Sequence, residues 1–389
     1  MTTVQPSILE EYEDNEAIGV EAEELETEFR DIDRPWDPES IRVATKTFSL
    51  RNMLDLISEG SLDLAPDFQR LKVWKPVQKA QLIESVLLQI PLPAFYFAED
   101  ADGTLRVVDG VQRLSTIDEF VQGGADRKGG FHLDGLEYIA DVRRKRFNDL
   151  PALWKRRIFN TQIVAHVIAP STPAPVMYDI FRRINTGGTP LNAQEIRHCI
   201  SKQRSRDFLK SLVRIPAFDQ ATGSRLKNQK RMIDREVALR FVAFWEFGPE
   251  RYVDESGDTM DSFLLRVIRA LDDPKVISND QLESIAGAFE VGLTNSYVAF
   301  GEYAFRKWLL DSESKNPFNR ALFEVWAVEL SRIDPQKVRD HADAIAHAAR
   351  SSMTSDPNYL ASLTSSTGDV RNVRRRFRQT AKIIDEVFE

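Results

Sequence analysis

The sequence contains few of the features that would place a protein outside the cell or in a membrane. Its single cysteine, Cys199, cannot form an internal disulfide, and no second cysteine provides a zinc-ligand spacing. The N-terminus lacks a basic region followed by an apolar stretch, and no apolar run approaches the length that crosses a bilayer. We therefore predict a cytoplasmic protein with no membrane-spanning segment.

Size and charge predict how the chain is organised. A chain of 389 residues exceeds the size at which one core usually keeps growing, so we expect at least two domains. Residues 10–33 contain twelve acidic side chains and one basic side chain, Arg30, which predicts that residues 1–34 form a disordered acidic arm. Short strands and helices alternate to about residue 200, and the later signals are almost wholly helical. This pattern predicts an α+β domain with a small mixed sheet at 35–200 and a helical domain at 201–389.

The basic residues are concentrated in the later part of the chain. Residues 202–235 carry ten Lys and Arg against three Asp. Further along, Arg371, Arg374, Arg375 and Arg378 recur at helical spacing along one face. These arginines could neutralise the phosphates of DNA, form a solvated helix face, or pair with the acidic arm. The sequence leaves these three interpretations open.

The strongest candidate for chemistry is a strand that turns into a helix at Asp109-Gly110-Val111-Gln112-Arg113. The start of a helix offers unpaired N–H groups and a positive dipole end, so anions bind there. Gly110 would let a phosphate approach the backbone, and Arg113 could clamp its oxygens. Gln112 could orient a water molecule, and Asp109 could hold Mg²⁺. The alternative is a simple turn with solvent-facing side chains.

Two further segments place polar groups at the end of an apolar element. One is Phe68-Gln69-Arg70, and the other runs from Phe181 through Arg182 to Asn185 before Gly187-Gly188. Such a placement suits the wall of a ligand crevice. We therefore predict that Gln69, Arg70, Gly110, Arg182 and Asn185 contribute to ligand binding, and the family resemblance described next implies that this ligand is a nucleotide.

Taken in order, these segments resemble the N-terminal GmrS-type domain of the GmrSD modification-dependent restriction systems. The resemblance runs from Pro66-Asp67-Phe68-Gln69-Arg70 with Trp74, through Leu82–Ser85, Pro91-Leu92-Pro93 and Val108–Thr116, to Phe181–Gly188 with Leu191 and Glu195. It covers roughly residues 45–200, and the ordered set is more specific than any one piece.

The resemblance implies a fold similar to that of the ParB and sulfiredoxin proteins, which bind nucleotides. The family signature is an Asp-Gly-Gln-Gln-Arg run linked to NTP hydrolysis, so the resemblance implies that NTP with Mg²⁺ binds at Asp109–Arg113, with Asp109, Gln112 and Arg113 in catalytic roles. This chain has Val111 where the family usually has its first Gln. If that Gln positions the attacking water, the chain binds NTP but hydrolyses it slowly or not at all.

Restriction proteins of this kind also carry a nuclease domain with a His-Asn-His motif. None of the five histidines, which are His132, His166, His198, His341 and His347, lies in such a setting. We therefore expect any nuclease or effector to be a separate partner subunit. The leading hypothesis is a nucleotide-binding component of a prokaryotic system that acts on foreign DNA. The alternatives are a non-enzymatic ParB-like DNA-binding regulator and a protein-interaction adaptor.

Overall fold

The computed structural model describes residues 9–13, 16–23, 41–64, 74–100, 102–123, 130–184, 192–227, 231–252, 259–312 and 314–389. The chain forms two compact units. One comprises residues 34–200, and the other comprises residues 201–389 together with the described residues before 34. None of the helices in these ranges combines the length and apolar character that crossing a membrane requires.

Seven strands form two sheets within the described ranges. They are β1 (Glu10–Glu13), β2 (Glu16–Glu21), β3 (Val43–Ser49), β4 (Leu62–Asp63), β5 (Phe95–Glu99), β6 (Leu105–Asp109) and β7 (Gln162–Ile168). Strands β1 and β2 pair with each other, and the other five form a sheet in the order β3-β7-β5-β6-β4. The five-stranded sheet is mixed, because β5 pairs antiparallel with β6 but parallel with β7.

Six α-helices accompany the five-stranded sheet in the described part of this unit. They are α1 (Leu50–Ser58), α2 (Pro76–Leu87), α3 (Val111–Gln122), α4 (Ala152–Asn160), α5 (Ala174–Ile184) and α6 (Ala193–Ile200). One apolar core holds buried side chains of the sheet, such as Phe95, Phe97 and Ala165, together with Leu114 of α3. A small mixed sheet followed by a mainly helical region confirms the predicted α+β fold class.

Two local features of this unit follow from short-range signals in the sequence. The Asp102-Gly103 turn joins β5 to β6, and Gly103 has a φ of +86°, which glycine adopts without strain. Before α6, the Asn192 and Glu195 side chains each accept a hydrogen bond from the other residue's backbone N–H, at 2.8 and 2.7 Å. This reciprocal pair is a capping box, which Asn192 and Glu195 three residues later indicate in the sequence.

Among its described residues, the second unit combines the β1–β2 hairpin with helices. Its helices are α7 (Gln203–Leu212), α8 (Pro216–Thr222), α9 (Ile233–Glu246), α10 (Met260–Asp272), α11 (Asn279–Phe300), α12 (Arg320–Leu330), α13 (Pro335–Asp340), α14 (Ala342–Ser355), α15 (Pro357–Ser362) and α16 (Val370–Phe388). Pro335 is the first residue of α13, a position where proline is tolerated because its missing N–H would have no partner within the helix.

The hairpin contradicts part of the sequence prediction. Glu21 lies 2.5 Å from the Lys307 amino group, and the Glu23 carboxylate accepts bonds of 2.9 and 2.5 Å from the Arg240 guanidinium. Val20 is fully buried in the core of the helical unit. The prediction of a disordered arm is therefore wrong for residues 9–13 and 16–23. Their acidic composition suggested solvated charges, but cations far along the chain pair with these carboxylates and allow them to pack.

Candidate functional site

The predicted strand-to-helix turn is present, and Gly110 is its pivot. Strand β6 ends at Asp109, helix α3 begins at Val111, and Gly110 between them has a φ of +98°. A Cβ atom at this position would come within 2.2 Å of the Phe95 ring. Glycine is thus required here by backbone conformation and by packing. The close approach that it permits is made by Phe95, whereas the sequence analysis assigned it to a phosphate.

Arg113 is held by the protein itself. Its guanidinium donates to the carbonyl of Pro93, to that of Ala94 at 3.1 Å and to the Asp109 carboxylate at 3.0 Å. It also stacks over the Phe95 ring, 4.2 Å from the ring centroid. Only 12% of the side chain is exposed. Burial lowers the pKa of Arg113 and the Asp109 carboxylate opposes that shift, so the guanidinium stays charged at neutral pH.

These contacts change the role that the structure supports for Arg113. The sequence predicts that Arg113 binds phosphate, whereas in the structure Arg113 connects the first turn of α3 to the residues just before β5 through hydrogen bonds. It also fixes the orientation of the Asp109 carboxylate, which is 38% exposed. Asp109 is therefore the charged side chain at this turn that an incoming ligand reaches more easily.

A β-bulge precedes the turn. The register along β5 and β6 pairs Phe97 with Val107, but Tyr96 then pairs with Asp109, so β6 contains one extra residue. Bulges redirect side chains and are over-represented beside active sites. Here the bulge brings Asp109 opposite Tyr96.

The start of α3 has the features of an anion site but lacks those of a complete metal site. Gly110 has no side chain with which to cap the first turn of α3. Within the described ranges, no group of three or more His, Cys, Asp or Glu side chains could hold a metal ion. Mg²⁺ at Asp109 would therefore take its remaining ligands from phosphate oxygens and water, as Mg²⁺ commonly does at nucleotide sites.

The other predicted site residues are only partly described. Gln112 is half-buried in the first turn of α3, and Arg182 is exposed in the last turn of α5. Gln69, Arg70 and Asn185 lie outside the described residues. Strand β4 pairs in parallel with the first two residues of β6, with Leu62 opposite Leu105 and Asp63 opposite Arg106.

Two buried charged residues support this region, and the sequence analysis did not identify them. Arg106 of β6 forms an ion pair of 2.6 Å with Asp100 and donates to the carbonyl of Cys199 at 2.9 Å, which joins α6 to the sheet. Glu84 of α2 accepts backbone N–H bonds from residues 137, 138 and 139 at 2.9, 2.7 and 2.9 Å. In the sequence, both residues stand out only as charged side chains among apolar neighbours, which does not show that they are buried.

The basic residues of α16 do not form one uniform face. Arg375 and Arg378 are exposed, and Arg371 is exposed but paired with Asp369 at 3.0 Å. Arg374 is half-buried, 3.7 Å from Glu250. Their neighbour Arg376 is fully buried and paired with Glu324. A polyanion could therefore reach fewer arginines of α16 than their helical spacing in the sequence indicates.

Comparison with known proteins agrees with the ordered motifs. Residues 50–201 match the family model of the GmrSD restriction endonuclease N-terminal domain. The predicted resemblance is confirmed over this range, and the domain indicates a component of a restriction system. A search of curated proteins found no match to the chain.

Proposed function

We propose that the unit at 34–200 binds a nucleoside triphosphate with Mg²⁺ at the Asp109–Arg113 turn, as part of a prokaryotic defence system that acts on foreign DNA. The observation that carries the proposal is the turn itself. The bulged strand β6, which lies inside the sheet, ends in an accessible carboxylate directly before a helix start with no side-chain cap. This turn lies inside the region that matches the GmrSD N-terminal domain.

In this proposal each residue has a different task. Asp109 would hold Mg²⁺, the N–H groups of the first turn of α3 would meet phosphate oxygens, and Gln112 would orient a water molecule or a further oxygen. Arg113 is a positioning residue, because it acts through Asp109 and the backbone of residues 93 and 94. Gln69, Arg70, Arg182 and Asn185 complete the proposed site. A separate nuclease or effector subunit acts on the DNA.

Thermal melting with and without ligand tests the proposal. A ligand that binds only the folded state stabilises it by about 2.7 kcal/mol at a hundredfold excess over its Kd. We expect NTP with Mg²⁺ to raise the melting midpoint of the wild type. In Asp109→Asn the rise should be much smaller, because the amide keeps the shape of the carboxylate but binds Mg²⁺ poorly.

Asp141→Asn is the matched control, since Asp141 is exposed in the same unit. It should respond to NTP as the wild type does. An unchanged midpoint for the wild type at millimolar NTP would refute nucleotide binding.

A DNA-binding regulator without enzymatic activity is the second candidate, favoured by exposed Arg375 and Arg378 of α16. Under that function, duplex DNA raises the midpoint and NTP does not. Since each phosphate contact adds to the salt dependence of binding, the affinity for DNA should also fall steeply with salt.

A further inference from the structure

The five-stranded sheet carries a row of polar and aromatic residues that starts at the candidate site. In the strand register, Asp109 of β6 pairs with Tyr96 of β5, Tyr96 pairs with His166 of β7, and His166 pairs with Thr45 of β3. Four neighbouring strands thus contribute one residue each. Adjacent strands lie about 4.8 Å apart, so Tyr96 is one spacing and His166 two spacings from Asp109.

Three members of the row share the sheet face that is turned away from the apolar core. Neighbours of Tyr96 and His166 along their strands, Phe95, Phe97 and Ala165, are buried in that core. Since side chains alternate along a strand, Tyr96 and His166 project to the opposite face. Val164, on the same face, is 43% exposed, so this part of the face is open to solvent.

The aromatic rings on this face are held in place by their neighbours. The ring centroids of Tyr96 and His166 lie 4.9 Å apart, and the Thr45 hydroxyl lies 3.1 Å from His166 Nδ1. Both aromatic residues are half-buried, so part of each ring remains accessible. A fixed, partly exposed aromatic pair is a platform on which a nucleobase can stack.

We propose that Tyr96 and His166 form the base-binding shelf of the nucleotide site, with the base stacked on Tyr96 and the phosphates at the Asp109–Arg113 turn. This inference rests on the proposed nucleotide binding and adds the place of the base. In a nucleotide only a ribose lies between the base and the first phosphate. The residues that bind these two groups must therefore lie close together. Tyr96 and Asp109 are such neighbours. Because every base has a π-face, stacking predicts that the four nucleotides bind with similar affinity.

The test compares a nucleoside triphosphate with inorganic tripolyphosphate, both with Mg²⁺, by titration calorimetry. Tyr96→Ala and Tyr96→Leu should weaken NTP binding about tenfold to a hundredfold, the range expected for loss of one stacked base. Both should bind tripolyphosphate as the wild type does, which also shows that the site is intact. Tyr96→Phe keeps the ring and should bind NTP within about threefold of the wild type.

Tyr138→Ala is the matched control, because Tyr138 is 76% exposed in the same unit. Its affinity for NTP should not change. Wild-type protein that binds NTP no better than Tyr96→Ala does would overturn the shelf and leave nucleotide binding intact. Wild-type protein that binds neither NTP nor tripolyphosphate would overturn the proposed function and the shelf with it.

Discussion

Glu84 shows how a single side chain supports the unit that carries the site. Its carboxylate accepts three consecutive backbone N–H bonds from residues 137–139 and is almost fully buried. Burial acts to raise the pKa of Glu84, but the three N–H groups outweigh it and hold the pKa below its ordinary value. The charged form is therefore the form that stabilises the fold.

We expect Glu84→Gln to lower the free energy of unfolding by about 1–3 kcal/mol, because an amide accepts these bonds more weakly than a carboxylate does. A group whose pKa is depressed on folding stabilises above its unfolded pKa and loses that effect as the pH falls. The deficit in Glu84→Gln should thus be full at neutral pH and shrink below about pH 4.3. Urea unfolding at several pH values measures it, and exposed Glu137→Gln is the control.

Val111 is the residue at which we expect the hydrolytic activity of the proposed site to be decided. It is the first residue of α3 and is half-buried against the core, where it cannot hydrogen-bond a water molecule. We expect Val111→Gln to raise the rate of phosphate release from NTP with little change in affinity, because a group that orients the nucleophile acts mainly in the transition state.

Val111→Ala is the control for Val111→Gln, since it removes the same packing without adding an amide. Phosphate release by the purified proteins, with and without DNA, provides the measurement. Rapid turnover by the wild type would show that Gln112 alone is sufficient.

Among the elements, the β1–β2 hairpin differs most from its prediction. Its acidic composition predicted disorder, whereas carboxylates in and beside it form ion pairs with buried cations. Burial raises the pKa of Glu23, but Arg240 and Arg320 outweigh that effect and lower the pKa to about 2. Arg240 also pairs with Glu236 and Glu324, so removal of Glu23 would leave it buried with one carboxylate fewer. Glu21 at the end of β2 and Glu23 just after it therefore supply carboxylates that pair with the buried cations Lys307 and Arg240 of the helical unit.

We expect Glu23→Ala to destabilise the helical unit by about 2–4 kcal/mol, since it removes one partner of a buried ion pair. Glu386→Ala removes an exposed partner of Lys382 and should cost less than about 1 kcal/mol. Chemical unfolding followed by tryptophan fluorescence compares the two variants. Equal, small effects would show that the hairpin is dispensable, as a disordered arm would be.

At the scale of the whole molecule, the two compact units are interleaved along the chain. The hairpin precedes the unit at 34–200, but it belongs to the same compact unit as residues 201–389. A fragment that begins at residue 201 would lack the carboxylates that pair with Lys307 and Arg240. A fragment of residues 34–200 would retain its own apolar core.

The sequence by itself determined the features that depend on residues close together in the chain. The Asp102-Gly103 turn, the capping box before α6 and the change from strand to helix at Gly110 are local, because backbone preference and short-range hydrogen bonds decide them. The ordered motifs also predicted the match of residues 50–201 to the GmrSD N-terminal domain, because the order of residue types is read from the sequence without the fold.

Only the tertiary structure decided the features that join distant residues. The bulge that sets Asp109 opposite Tyr96, the inward contacts of Arg113 and the pairing of Glu23 with Arg240 all depend on the register between separate elements. A charge pattern cannot show whether a carboxylate meets water or a buried arginine, because the partner lies more than two hundred residues away. Burial and strand register arise only when the whole chain has packed.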